Sequence, residues 1–447
     1  MQSSKSMNFD IESLGPALHK SPIELSNPEN FTPDDDRIIW NPHLKSIKRS
    51  LADSPGAPLS GFELAGPRSK LFFDPTKVRA AIVTCGGLCP GINAVIRSLV
   101  LQLWHRYGCT DVTGIRFGYH GLGTSPPEPA LALTPDLVAQ VHMRGGTMLG
   151  SSRGTPSVQQ IVDSLVATGI NMLFTIGGDG TMRGALAISQ EIKRRGLQIA
   201  VVGVPKTIDN DIPFVRRSFG FETAVSKACE SIHAAHVEAE GVENGIGLVR
   251  LMGRDSGYIA ANATLATGQV NFCLVPEIEF GLEGPGGLYE LLEARLTKRR
   301  HAVIVTAEGA GQQYFAAAGP RAVDASGNTR LGDIGIFLKE RITTHFKQKT
   351  GRTVHVKYID PSYIIRASAA DAADQLFCAR LAQNAVHAAM AGKTGLLIGW
   401  WHGRMTHVPL AALGQNRQRI NPEGELWFNV LETTGQPFKI GKAPIVS

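Results

Sequence analysis

The sequence has little of what marks a secreted, fibrous or membrane chain. Its six cysteines in 447 residues include one close pair, Cys85 and Cys89. Without a second pair or a histidine cluster at metal-ligand spacing, this argues against a zinc framework and a disulfide scaffold. Reduced thiols packing as small hydrophobes remain. Charged residues make up 19% and apolar residues 43%, so the chain lacks the charge excess of a disordered protein. No run reaches the roughly 18 apolar residues that span a bilayer. The opening Met1-Gln2-Ser3-Ser4-Lys5 leads into no apolar signal segment. A cytoplasmic protein with no membrane partner is therefore expected. The 45 basic and 39 acidic residues are spread along the chain, and their net charge of +6 suits an anionic small substrate without demanding nucleic acid.

What is present is punctuation by proline and glycine. Nine of the 25 prolines fall in residues 1–75 (16, 22, 28, 33, 42, 55, 58, 67 and 75). That density breaks helices and sheet ladders, so this segment reads as an N-terminal extension lying over or outside the core. From residue 76 short β-branched runs alternate with amphipathic stretches. Ala80–Thr84 is followed by Ile92, Val95, Ile96, Leu99, Val100 and Leu103, apolar at helical spacing. Further strands are expected over 171–176, 199–204, 246–251, 271–275, 302–307, 353–357 and 395–400, with helices over 222–238, 286–299, 333–348 and 369–391. This is an α/β pattern with mostly parallel sheets. One such core rarely absorbs more than about 250 to 300 residues, so two similar lobes are expected.

Four glycine- or charge-rich clusters stand out, three of them at predicted strand ends. Thr84-Cys85-Gly86-Gly87-Leu88-Cys89-Pro90-Gly91 can bring backbone N–H groups to an anion at a helix N-terminus, although a tight turn without ligand would look the same. Gly145-Gly146-Thr147-Met148-Leu149-Gly150-Ser151-Ser152-Arg153-Gly154 reads either as a solvated loop or as a polar loop whose guanidinium can grip phosphate. Gly177-Gly178-Asp179-Gly180-Thr181 places a carboxylate at the mouth of a phosphate-cradling turn. An acid there repels phosphate unless a cation bridges the two, which points to Mg²⁺. Pro205-Lys206-Thr207-Ile208-Asp209-Asn210-Asp211 puts a lysine, a hydroxyl and two carboxylates at a strand's C-terminal end, where open α/β sheets bind ligands. One carboxylate can take the proton of an attacking alcohol while the other tunes it.

These clusters occur in order with Leu251-Met252-Gly253-Arg254-Asp255-Ser256-Gly257, Ala307-Glu308-Gly309-Ala310-Gly311 and Tyr358-Ile359-Asp360-Pro361-Ser362-Tyr363-Ile364-Ile365-Arg366. Together they resemble the phosphofructokinase family over about residues 76–410, and its plant and trypanosomatid ATP-dependent branch in particular. The resemblance implies two Rossmann-like three-layer lobes with the active site between them. Residues 76–221 would form a nucleotide-binding lobe completed by about 365–415, and residues 222–364 a sugar-phosphate lobe completed by about 416–447. It implies phosphoryl transfer from MgATP to the 1-hydroxyl of fructose 6-phosphate in glycolysis, by a homodimer or homotetramer. On the same resemblance Gly86, Arg153, Gly154, Gly178, Gly180 and Thr181 line the ATP site, and Asp179 serves Mg²⁺. Asp209 is the base, with Thr207, Asp211 and Arg254 beside it. Ile208, Met252, Gly253, Glu308, Lys357, Tyr363 and Arg366 would complete the sugar-phosphate site.

The sequence departs from the short bacterial pattern of the family. Tyr363 stands where a histidine is usual, and Lys357 and Gly245 stand where arginines from a neighbouring subunit bind the 6-phosphate. Two positions bear on the donor. Lys206 resembles pyrophosphate-using relatives, whereas Gly180 stands where those usually carry aspartate. Glycine there leaves room for the α-phosphate of ATP, so ATP is the expected donor. Pyrophosphate as donor, and a silent nucleotide-binding subunit, are the rival readings.

Overall fold

The computed structural model describes residues 8–53, 55–56, 59–152, 156–318, 329–414 and 417–442. They fall into two compact units. The first runs to Thr207 and adds Ile212–Phe219 and Ala369–Asn416. The second comprises Ile208–Asp211, Gly220–Ser368 and the chain from Arg417 onward.

The first unit holds a nine-stranded sheet. Its order is Arg37–Ile39, Gly61–Leu64, Arg404–Pro409, Leu396–Trp401, Ala200–Pro205, Met172–Gly177, Arg79–Thr84, Asp111–Ile115 and Leu131–Ala132. The five strands from Leu396–Trp401 to Asp111–Ile115 are parallel, and the edges are antiparallel. The helix Ile92–Gln102 carries the apolar stripe that its sequence foreshadows. Ile92, Val95, Ile96, Leu99, Val100 and Leu103 are all buried, each contributing about 1.5 to 3 kcal/mol. Gly91 opens this helix at φ 103°, and a Cβ there would stand 2.7 Å from Cys378 Sγ and 2.9 Å from the Phe219 ring. Only glycine fits that turn.

Part of the proline-rich segment belongs to this sheet. Gly61–Leu64 pairs with Arg404–Pro409, and Arg37–Ile39 pairs with Gly61–Leu64. Tertiary packing supplies what local periodicity lacks. Phe62 lies among Phe9, Phe214 and Trp401, with ring centroids at 4.4, 5.8 and 5.5 Å. Beside it the buried Glu63 bonds Arg68 (2.9 Å), Lys393 (3.3 Å) and His407 Nδ1 (2.9 Å). Burial opposes the charge of Glu63, but the hydrogen bond from His407 and the charges of Lys393 and Arg68 outweigh it and hold the carboxyl at about 2. Burial also keeps His407 below its ordinary value. At neutral pH it therefore donates as a neutral imidazole, while Arg68 and Lys393 carry the countercharge.

The second unit holds a four-stranded parallel sheet in the order Phe272–Leu274, His301–Ala307, Gly245–Leu251 and His355–Ile359. Its core gathers Leu248, Leu292, Ile304, Leu338 and Phe346. Caps explain where its helices depart from their expected bounds. Gly286 takes φ 69° and Gly287 is the N-cap, so Leu288–Arg299 starts two residues late. Asp333 accepts from Ile336 N–H (3.0 Å) and opens Ile334–His345, which ends in a π turn over Phe346–Thr350. The strand expected over 353–357 lies at His355–Ile359, because pairing with the neighbouring strand begins at Gly245 opposite His355. Among the described residues no helix is long and apolar enough to cross a membrane.

Candidate active site

In the first unit three adjacent parallel strands, Arg79–Thr84, Met172–Gly177 and Ala200–Pro205, end beside one another. Each runs into a predicted cluster. After the first, Gly86 takes φ 84° and its carbonyl accepts from Ser151 Oγ at 2.5 Å. The loop carrying Ser151 is tied down by Thr84 Oγ1 on the Gly150 carbonyl (2.6 Å) and by Asn93, which accepts from Met148 N–H (2.8 Å). Arg153 and Gly154 lie outside the described residues. After the third strand, the buried Lys206 donates its backbone N–H to Gly177 O (2.8 Å) and its Nζ to Gly87 O (2.7 Å). One ammonium thus rests on the first glycine turn. Thr207 follows, its carbonyl accepting from Ser218 Oγ at 2.5 Å.

The second strand feeds the helix Asp179–Arg194 through Gly178, and no side chain caps that helix. Its first N–H groups and the positive end of its dipole therefore face the turn. The neighbouring glycines have different reasons to be glycine. A Cβ at Gly177 would lie 2.1 Å from Thr181 Oγ1, so packing forbids one. At Gly178 it would lie 3.2 Å from Lys206 O, whereas at Gly180 the nearest atom is an Arg183 nitrogen 3.8 Å away. Nothing in the protein requires glycine at Gly180. The buried Thr181 uses its carbonyl to accept from Tyr119 OH (3.0 Å). Asp179, on the first helical turn, pairs with Arg183 one turn later. A partly exposed carboxylate oxygen at a glycine turn suits Mg²⁺, which takes one or two carboxylates and completes its shell with phosphate and water.

The second unit holds a different set. Asn210 bends the chain at φ 55°, next to the two aspartates. Asp209 Oδ2 accepts the backbone N–H of Arg254 (3.4 Å), and its carbonyl accepts from Ser256 Oγ (3.1 Å). Burial first, then the charges of Asp211 and Glu308, push the Asp209 carboxyl up to about 7. The Arg254 N–H and the charge of Arg366 oppose the rise. Asp211 is held by Arg417 at 3.0 Å, and the same guanidinium holds Asp255 at 2.9 Å. Ile208 and Met252 are buried.

Two glycines bring the arginine loop onto the turn after His301–Ala307. A Cβ on Gly253 would stand 2.4 Å from Ser256 O, and one on Gly309 would stand 1.8 Å from Arg254 O. The Arg254 guanidinium donates to the Thr329 carbonyl. Glu308 lies 3.3 Å from Arg250, which also reaches Asp360 at 2.5 Å and Asp333 at 3.9 Å. Tyr363 is 83% exposed on the short helix Ser362–Ala367, and Arg366 is half-buried on the same helix. Lys357 pairs with Glu238 at 3.2 Å. Gly245 has a packing reason to be glycine, since a Cβ there would stand 2.0 Å from Ala239 O. An arginine cannot occupy that position unless the helix Phe221–Glu240 moves away.

Residues 79–389 match the family model described as phosphofructokinase. The chain belongs to the phosphofructokinase family. A protein of Borreliella burgdorferi named ATP-dependent 6-phosphofructokinase is 47% identical over 446 residues, covering 98% of this chain and 98% of that protein. One of the same name from Trypanosoma brucei brucei is 47% identical over 430 residues, covering 96% of this chain and 87% of the other. A solved pyrophosphate-dependent phosphofructokinase from Marinobacter aquaeolei superimposes with a TM-score of 0.66 over 82% of this chain and 92% of its own. At 21% identity, that likeness speaks to the α/β fold alone.

Within this phosphofructokinase, three charged residues escaped the sequence reading: Arg183, Arg250 and Arg417. Arg250 left a signal, because a charge in the otherwise apolar strand Gly245–Leu251 demands buried partners. Arg183 lies four residues after Asp179, at helical pair spacing. Arg417 left none, since it reaches Asp211 across 206 positions of sequence.

Proposed function

We propose that the chain is an ATP-dependent 6-phosphofructokinase that transfers the γ-phosphoryl group of MgATP to the 1-hydroxyl of fructose 6-phosphate. The observation that carries this is near full-length identity to relatives named for that activity. The chemistry of the residues suits it. A carboxyl raised to about 7 is a base poised near working pH, so Asp209 accepts the proton of the 1-hydroxyl as the oxygen attacks phosphorus. Arg254, whose backbone already holds Asp209, supplies a guanidinium for charge on the transferring group. Glu308, set by Arg250, accepts sugar hydroxyls, and Arg366 pairs with the 6-phosphate together with Tyr363. Gly86, Gly178, Gly180 and Thr181 offer N–H groups and space to the nucleotide phosphates, with Lys206 as a fixed positive charge. Asp179 would hold Mg²⁺, which when bound neutralises charge on the β- and γ-oxygens.

The open space at Gly180 favours ATP over pyrophosphate as donor. Lys206 is the feature that favours the pyrophosphate reading. A coupled assay on the purified chain separates them. Fructose 1,6-bisphosphate formation with MgATP and not with pyrophosphate is expected; turnover with pyrophosphate alone would overturn the choice, and turnover with neither would leave a silent subunit. The enzyme is further proposed to act in the cytoplasm as a homodimer or homotetramer. A fully active monomer by light scattering at assay concentration would refute the assembly.

A further inference from the structure

At the end of the second sheet remote from Glu308, three metal-ligand side chains converge. His301 begins the strand that ends at Ala307, just before Glu308, which separates the two places by about 20 Å. His236 and Glu240 lie one turn apart at the end of the helix Phe221–Glu240. One ligand atom from each of the three residues lies within 4.8 Å of the others. The His236 and His301 rings meet edge to face at 5.2 Å and 71°, and His236 Nε2 is 3.8 Å from Glu240 Oε2. Gly245 makes the approach possible. It is aligned with His301 in the neighbouring strand, and the last helical turn packs where its Cβ would be, since a Cβ there would stand 2.0 Å from Ala239 O. The residue that replaces a family arginine thus has a structural consequence of its own.

We propose that His236, Glu240 and His301 form a second cation site, selective for a transition-metal ion of the Zn²⁺ class. Two imidazoles and one carboxylate make a nitrogen-rich donor set that suits Zn²⁺, whereas the oxygen donors around Asp179 suit Mg²⁺. His236 turns its Nε2 toward Glu240, and its Nδ1 is buried with no hydrogen-bond partner among the described residues. The helix C-terminus adds a negative dipole end next to the site. The Arg295 guanidinium donates its Nε to the His301 carbonyl (3.2 Å). Tetrahedral ligation needs ligand atoms about 3.4 Å apart at ordinary zinc bond lengths. Glu240, whose side chain is 63% exposed and 3.8 Å from His236 Nε2, has room to rotate toward the rings. Three protein ligands leave one position open for water.

The test is a titration of the chelator-treated full chain with Co²⁺, followed by visible absorption, and with Zn²⁺ in equilibrium dialysis. One Zn²⁺ per chain is expected, displacing Co²⁺ and binding with a Kd on the order of 10 μM or tighter. His301→Ala should weaken it at least about tenfold, and Asp179→Ala should leave it unchanged. Glu240→Gln, an exposed isostere that cannot disturb packing, should weaken it several-fold, so the proposal does not rest on a variant that fails to fold. Absence of saturable Zn²⁺ binding up to millimolar metal would overturn the site. So would binding that Glu240→Gln and His301→Ala leave unaltered.

Discussion

The strands of the first unit end in glycine turns and an uncapped helix, while those of the second end in ion pairs. Around Gly86, Gly178 and Gly180 the groups on offer are main-chain N–H donors, with the buried ammonium of Lys206. Around Asp209 the groups on offer are paired side chains: Asp211 with Arg417, and Arg250 with Glu308 and Asp360. A polyphosphate asks for many donors and room, which backbone supplies without side-chain entropy. A proton transfer asks for one group with a tuned pKa, which only a particular arrangement of charges supplies.

The contrast is sharpened most by removing the proposed base. Asp209→Asn is isosteric and cannot take the proton, so kcat should fall by about 10² to 10⁴ with KM for both substrates little changed. The same variant should melt higher at pH 8. A folded carboxyl raised to about 7, above its unfolded value, contributes stability only at low pH and loses it as pH rises through 7. Calorimetry at pH 8 checks this, and an activity above about a third of wild type would break the assignment.

On the glycine side, Gly180→Asp should remove most ATP-dependent turnover, at least about tenfold, while fructose 6-phosphate binding persists. Because a Cβ there meets open space, the loss would arise at the nucleotide and not from misfolding. A variant that keeps wild-type kcat with MgATP would show that the turn does not hold the donor.

Asp179→Ala should have a smaller effect, raising the Mg²⁺ needed for half-maximal rate several-fold and lowering kcat. Arg183→Ala, which removes the ion-pair partner and keeps the carboxylate, should not reproduce it. Unchanged Mg²⁺ dependence of Asp179→Ala at saturating ATP would take this residue out of the metal site.

Outside both sites, Glu63→Gln should leave kcat alone and lower stability by about 3 kcal/mol, read as a drop in Tm. It leaves Arg68 and Lys393 buried with less countercharge. An unchanged Tm would mean that the proline-rich segment adds little to the first sheet.

How much of this was legible in the sequence differs between the regions. The parallel strands and the helix over Ile92–Gln102 announce themselves through local period, and the glycine turns through local composition. The short strands Arg37–Ile39 and Gly61–Leu64 do not, because Phe62 and Glu63 are specified by Trp401 and His407, hundreds of residues away. The hairpin joining Leu396–Trp401 to Arg404–Pro409 turns on His402 and Gly403, both at positive φ, which is a weak signal in sequence. Asp209 and Asp211 are visible as a pair, but the Arg417 that anchors one and the Glu308 that perturbs the other come from distant strand ends and loops. His236 and His301 show no metal spacing for the same reason.

The pH dependence of kcat, measured on the wild-type chain and on Asp209→Asn with saturating MgATP and fructose 6-phosphate, tests the central claim most directly. If Asp209 is the base, the wild-type rate holds above pH 7 and falls about tenfold per unit below it, as the carboxylate becomes protonated. The residual rate of the variant should lack that limb. A wild-type profile that stays level from pH 8 down to pH 5.5, or an unaltered acid limb in the variant, would contradict the account.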